Sequence, residues 1–129
     1  MSEKVIRTER GWAGHFICAD RCLFRRNTLL QCGKIFVVVS TVGVLPFPDR
    51  DGFDTIGLDR YYETMAFHSR KDDARYHDID VARKVDFDSP WALEDKPTEE
   101  NSDNNANDMH EAVVKEITEK LLAGEMKGA

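Results

Sequence analysis

The chain has 129 residues, 41% hydrophobic and 33% charged, with a net charge of −6. That length suits one domain with a modest core, and the apolar content is too high for a wholly disordered chain. No apolar run approaches the roughly 20 residues of a membrane-spanning helix, and the acidity weighs against general nucleic-acid binding while leaving room for a local phosphate site.

The first ten residues, MSEKVIRTER, are charged and are followed by no apolar core, so they do not read as a secretory signal. With three cysteines, this implies reduced thiols and a cytoplasmic location. Charge is unevenly placed: residues 1–45 carry seven Lys/Arg against three Asp/Glu, and residues 46–129 carry eleven against twenty-one. Such halves either attract one another within one fold or present two faces to two kinds of partner.

Taken in order, residues 1–9 read as a short arm or edge strand around Val5 and Ile6. Gly11 and Gly14 flank Trp12, which suggests a bulge or a close backbone approach. Residues 14–18 and 27–30 read as strands, with the connection at residues 19–21 or 25–27. Residues 31–34 form a turn in which Gly33 supplies a positive φ. Residues 35–39, IFVVV, are β-branched and aromatic, as suits a strand buried on both faces.

Pro46, Pro48 and Gly52 then break regular structure to about Gly57. Asp49, Asp51 and Asp54 do not meet the calcium-loop pattern. Residues 61–68, YYETMAFH, read as a strand, with a short helix as the competing assignment. Tyr62, Thr64, Ala66 and His68 would share one face, and Glu63 would lie with Met65 and Phe67 on the other. If that second face is core, Glu63 needs a partner such as an arginine. A polar turn at residues 69–73 precedes a half-buried strand at about 79–87. Residues 89–91, SPW, end that strand, with Trp91 folding back over the sheet edge.

Residues 94–107 read as an acidic, polar linker. A helix follows over residues 108–124. Asp108 and Glu111 have capping-box spacing, and Gly124 makes a stop. Met109, Val113, Ile117 and Leu121 form a stripe that Val114 and Leu122 widen. This helix packs on the sheet or serves association, including a homodimer through residues 108–124. The expected architecture is α+β: a small antiparallel sheet over residues 1–93, as a meander or partly closed barrel, with a C-terminal amphipathic helix.

Four groupings carry potential chemistry. His15, Cys18, Cys22 and Cys32 lack the paired knuckle spacing of zinc sites and read as structural residues, so no metal and no cofactor is expected. Arg21, Arg25 and Arg26, with Trp12 nearby, would bind a phosphate or a partner, or pair with the acidic second half. If the chain is an enzyme, Arg10, His15, Glu63, His68 and His77 are the candidates for acid–base work on a nucleotide or phosphodiester. That reading requires them to converge in a cleft. The order Arg10, Ser40-Thr41, Glu63 loosely resembles the R-S-E order of some ADP-ribosyltransferases, but the E-x-E pair is missing.

The runs GWAGHFICADRCLFRRNTLL, YYETMAFHS and SPWAL resemble small uncharacterised proteins of bacterial phages, prophages or plasmids. The resemblance implies an accessory protein that binds or inhibits a host macromolecule, and it names no functional residue. The expectation from sequence is therefore a non-enzymatic binding protein with a protein partner and no membrane association. The alternative is a small enzyme acting on a nucleotide or phosphodiester.

Overall fold

The computed structural model describes residues 4–9, 23–51, 53–55, 61–71, 77–93 and 102–124. Six strands form one antiparallel sheet: β1 (Val5–Glu9), β2 (Phe24–Cys32), β3 (Ile35–Gly43), β6 (Tyr62–Lys71), β7 (His77–Val85) and β8 (Ala92–Leu93). The order is β1-β2-β3-β6-β7, and β8 pairs with β6 beyond the end of β7. The sheet is an open meander, not a closed barrel. Between β3 and β6 the chain makes a two-stranded excursion, β4 (Leu45–Pro46) with β5 (Phe53–Asp54). One helix, α1 (Ser102–Leu122), completes the α+β architecture. No helix among the described residues is long and apolar enough to cross a membrane.

The β2–β3 hairpin closes on the Cys32–Ile35 pair. Its two-residue loop places Gly33 at φ 59°, which a Cβ would resist. The alternation of side chains then assigns faces. Along the register, Glu9, Thr28, Leu30, Val37, Val39, Thr41, Thr64 and Ala66 share the face toward α1. Leu30, Val37, Val39, Ala66 and Val85 pack there against Val113, Val114, Ile117 and Leu121. Burial of each large aliphatic side chain contributes about 1.5–3 kcal/mol. The opposite face is buried as well, with Leu29, Val38, Val42 and Phe67 at most 6% exposed. Burial on both faces explains why residues 35–39 carry no polar alternation.

Several expectations change. Residues 25–27 lie inside β2 and are not a connection. Residues 69–71 belong to β6, so the polar turn does not begin at Ser69. The second strand of that hairpin starts at His77. The helix starts at Ser102, so residues 102–107 are helical and do not form a linker. Asp108 and Glu111 are consequently mid-helix and do not form a cap. Asn and Asp are weak helix formers, but docking Ala106 and Met109 into a cluster with Val44 and Tyr62 overrides that preference. Leu122 is 53% exposed and lies off the buried stripe. The helix ends as expected, with Gly124 at φ 73° and its N–H donating to the Leu121 carbonyl at 3.2 Å.

The helix packs on the sheet, and its apolar stripe is covered there. A homodimer through residues 108–124 would therefore have to use another surface. The expected strand at 14–18, the Gly-Trp-Ala-Gly segment, the connection at 19–21 and residues 94–101 of the linker lie outside the described residues.

Two positions on the helix face of the sheet are tightly constrained. Gly43 pairs with Tyr62, whose ring covers it, and a Cβ there would also come within 2.7 Å of the Tyr61 carbonyl. Val44 follows at φ 61°, a strained conformation for a β-branched residue. Its N–H donates to the Tyr61 carbonyl at 3.1 Å, and its carbonyl accepts from the Leu23 N–H at 3.0 Å.

Candidate functional site

Among the described residues, two places collect polar side chains: a buried network beneath α1 and an open cleft at the far edge of the sheet. The network is centred on His110, which is fully buried. Its Nε2 lies 2.7 Å from Thr28 Oγ1, and its Nδ1 lies 2.7 Å from Thr41 Oγ1. Thr41 Oγ1 is in turn 2.7 Å from Thr64 Oγ1. Thr28 Oγ1 donates to Glu9 Oε2 at 2.8 Å.

Donor counting fixes the direction of this chain. The single Thr28 hydroxyl proton goes to Glu9, so His110 Nε2–H must donate to Thr28. Nδ1 is then the acceptor, Thr41 donates to it, and Thr64 donates to Thr41. The ring is the neutral Nε2–H tautomer, and every proton in the chain points toward the Glu9 carboxylate. The network joins α1 to β1, β2, β3 and β6.

At its outer end Arg26 Nε donates to Glu9 Oε1 at 2.7 Å. Arg7 forms a fork on Glu111, at 2.8 Å for the Nη1–Oε1 bond. Arg26 also meets Glu111. The Arg7 hydrogen bond, with help from Arg26, holds the Glu111 carboxyl down to about 2. Burial opposes ionisation of Glu9, but the Arg26 and Thr28 hydrogen bonds outweigh it and lower its pKa. Burial, then the Arg26 charge, pushes His110 down to about 4. This arrangement has the outline of a carboxylate-oriented base, but both ring nitrogens are engaged within the protein and the ring is closed to solvent. It serves to lock the helix onto the sheet.

The cleft is different. β7 pairs with β6 as far as Val85–Ala66, and β8 resumes at Ala92–Glu63. Residues 86–91 arch away between them. The arch is tied back at both sides. Thr64 N–H donates to the Trp91 carbonyl at 2.8 Å, so the chain does return to the sheet edge at Trp91, but through its backbone. On the helix side, Glu116 accepts from Asp88 N at 2.7 Å, Ser89 N at 2.8 Å and Ser89 Oγ at 2.6 Å. Burial opposes ionisation of Glu116, yet these donors and Lys120 bring it down to about 2. Lys120 Nζ also donates to the Asp86 carbonyl at 3.2 Å.

The opening left in the edge has a volume of about 360 Å³ and is lined by Glu63, Met65, Lys84, Asp86, Phe87 and Trp91, among others. Trp91 is 48% exposed, whereas Glu63 is 8% exposed. Lys84 and Asp86 are exposed at its rim. A further, more open depression lies between β1 and α1, where Arg7 and Glu111 already satisfy one another.

The expected catalytic set does not gather among the described residues. Glu63 and His68 are five positions apart on one strand and face opposite sides of the sheet. Arg25 shares the face and row of Glu63, with Val42 between them. At about 4.8 Å per strand, their backbones are roughly 10 Å apart. The backbone of His77 pairs with Lys71, at the end of β6 remote from Glu63. Arg26 turns to the helix face and meets Glu9, within the same basic half of the chain, and Glu111, in the acidic half. Cys32 is buried with Sγ 3.8 Å from the Leu121 carbonyl. Arg10, Trp12, His15, Cys18, Arg21 and Cys22 lie outside the described residues.

Sequence reasoning missed His110 and the cleft. His110 stands three residues before Val113 and seven before Ile117, so extending the apolar stripe backward would have found it. No local pattern marks the cleft, which arises from a break in strand pairing. No family model, curated protein or solved structure matches the chain.

Proposed function

We propose that the chain is a non-enzymatic binding module that engages a protein partner through the cleft at the β6–β7–β8 edge. The observation that carries this is the half-exposed Trp91 on a pinned arch beside an open, mixed polar and aromatic cavity. Exposed aromatic side chains in partly enclosed, preorganised surroundings are the usual anchors of interfaces. Among the described residues, Glu63 and His68 face opposite sides of the sheet and His110 is sealed in the core. The acidity of the chain favours a protein partner over nucleic acid. The same reading takes the protein as a cytoplasmic accessory of a mobile element, directed at a host macromolecule.

The test is site-specific photocrosslinking in the source cell. Benzoylphenylalanine replaces Trp91 in one variant and the exposed Leu122 in a control. A discrete adduct from position 91 and none from position 122 is expected. Equal labelling from both positions, or none from position 91, refutes the reading.

A further inference from the structure

We infer that the β1 edge of the sheet joins two copies of this chain through an antiparallel β1–β1 pair with its two-fold axis at Ile6. The alternation of backbone bonds decides which groups face outward. The residues that flank a two-residue hairpin loop bond to one another, so Cys32 and every second residue before it in β2 turn their N–H and C=O groups to β3. Gln31 and Leu29 therefore turn theirs to β1, where they meet Ile6 and Thr8. Carried across the sheet, the same alternation aims the Thr64 N–H at β8, and that N–H does meet the Trp91 carbonyl. The N–H and C=O groups of Val5, Arg7 and Glu9 are left pointing away from the sheet. Among the described residues no strand pairs with them. An open edge is a template for a further strand, which natural sheets guard with charged side chains, prolines or bulges. β1 has no proline and pairs with β2 without a bulge, and its charged side chains are drawn back over the sheet, Arg7 to Glu111 and Glu9 to Arg26.

The sequence of the edge selects a second copy and its register. Outward-bonding residues must face one another, so a two-fold axis has to pass through a residue. An axis at Arg7 sets two arginines directly opposite, which like charge disfavours. An axis at Thr8 sets Arg7 opposite Glu9, but both are already held by Glu111 and Arg26 of their own chain, and Ile6 stays off the axis. An axis at Ile6 sets Val5 opposite Arg7 and Lys4 opposite Thr8, with no like charges directly opposite. Val5 and Arg7 of each copy then exchange backbone hydrogen bonds with Arg7 and Val5 of the other. Ile6, 57% exposed in the single chain, is covered by Ile6 of the second copy in the closer of the two kinds of antiparallel pair. On the helix side, a depression of about 370 Å³ lies between β1 and α1, with Val5, Val114 and Thr118 in its lining. The Val5 and Arg7 side chains of the second copy rise on that same side and extend its wall. The pairing lies at the opposite edge of the sheet from the cleft, so it is independent of a partner held there.

The contact is small, so the dimer is a weak one. The experiment has two arms, both on the full chain. Sedimentation velocity should show reversible dimerisation with a dissociation constant between about 10 μM and about 1 mM. Ile6→Lys sets two ammonium groups across the axis and should raise that constant at least about tenfold. The second arm is mild oxidation of cysteine variants. Ile6→Cys places two Cα atoms about 4.5 Å apart, within disulfide range, whereas Thr8→Cys leaves them about 14 Å apart. Ile6→Cys should therefore form a disulfide-linked dimer at least about tenfold faster than Thr8→Cys or the natural chain with its own cysteines. Ile6 and Thr8 are both exposed, so the variants should fold. A chain that stays monomeric up to about 1 mM, a dimer indifferent to Ile6→Lys, or crosslinking at position 8 as fast as at position 6 overturns the proposal.

Discussion

Acidification from pH 7 to pH 4 should destabilise the protein through His110, because the folded state holds this ring neutral. An unfolded histidine titrates near 6.5, and the buried ring titrates at about 4. Between those values the unfolded chain binds the extra proton and the folded chain does not. Stability therefore falls as pH drops through 6.5, and the His110 contribution is exhausted below about 4. Integrating proton uptake between the two states gives a loss of about 2 kcal/mol by pH 5 and about 3 kcal/mol by pH 4.

The charges around the ring come from three elements. Arg7 and Glu9 are on β1, Arg26 is on β2 and Glu111 is on α1 itself. Burial and Arg26 hold the pKa down, Glu9 and Glu111 partly offset them, and the smaller Arg7 effect lowers it again. Protonating Nδ1 would also reverse the Thr41 hydroxyl and strand the Thr64 proton. The assay is urea unfolding followed by circular dichroism at pH 7, 6, 5 and 4, comparing the natural chain with His110→Gln. Glutamine keeps one donor and one acceptor but cannot titrate. The variant should start less stable and lose the slope between pH 6.5 and 4.5. Contributions from the other three histidines cancel in the comparison. Equal slopes in the two proteins, or an NMR titration placing His110 near 6.5, would refute the argument. So would an imidazole in the Nδ1–H tautomer at neutral pH.

Three substitutions probe the scaffold. Glu116→Gln weakens the three bonds that tie down residues 88 and 89, so it should cost about 1–2 kcal/mol in thermal unfolding and speed amide exchange across residues 86–91. It should also flatten the acid limb below pH 4.5, because a carboxylate held near 2 stabilises the fold above that range and loses its contribution as pH falls toward 2. Gly43→Ala drives a methyl into the Tyr62 ring and toward the Tyr61 carbonyl, and should cost about 2 kcal/mol or more in the same measurement. Ser40→Ala should be neutral or stabilising by up to about 1 kcal/mol, because the Ser40 hydroxyl is fully buried with no hydrogen-bond partner among the described residues. A clear loss of stability on Ser40→Ala would show that the hydroxyl has an ordered partner.

The parts of the fold that were legible in the sequence are those set by local chemistry. Valines at positions 37–39 demand a strand buried on both faces, Gly33 demands a tight turn, and the Val113–Ile117–Leu121 spacing demands a docked helix. The helix start was not legible, because Asn104, Asn105 and Asn107 favour turns in isolation and only tertiary packing of Ala106 and Met109 makes them helical. The site was not legible for a related reason. The Thr28, Thr41 and Thr64 hydroxyls look like ordinary strand threonines until the register brings them under one imidazole. Glu63 lies more than twenty residues before Lys84 and Trp91, and the three line one cleft where β7 stops short of β8. Glu63, which the sequence marks as an acid on an apolar face, is buried.

The most direct test of the binding-module account is hydrogen exchange on the protein alone and on the protein isolated with its partner. The account predicts new protection concentrated at residues 63–65 and 84–91, with the β1 edge and the outer face of α1 unchanged. Protection confined to β1 or to α1, with residues 84–91 exchanging as in the free protein, would contradict it.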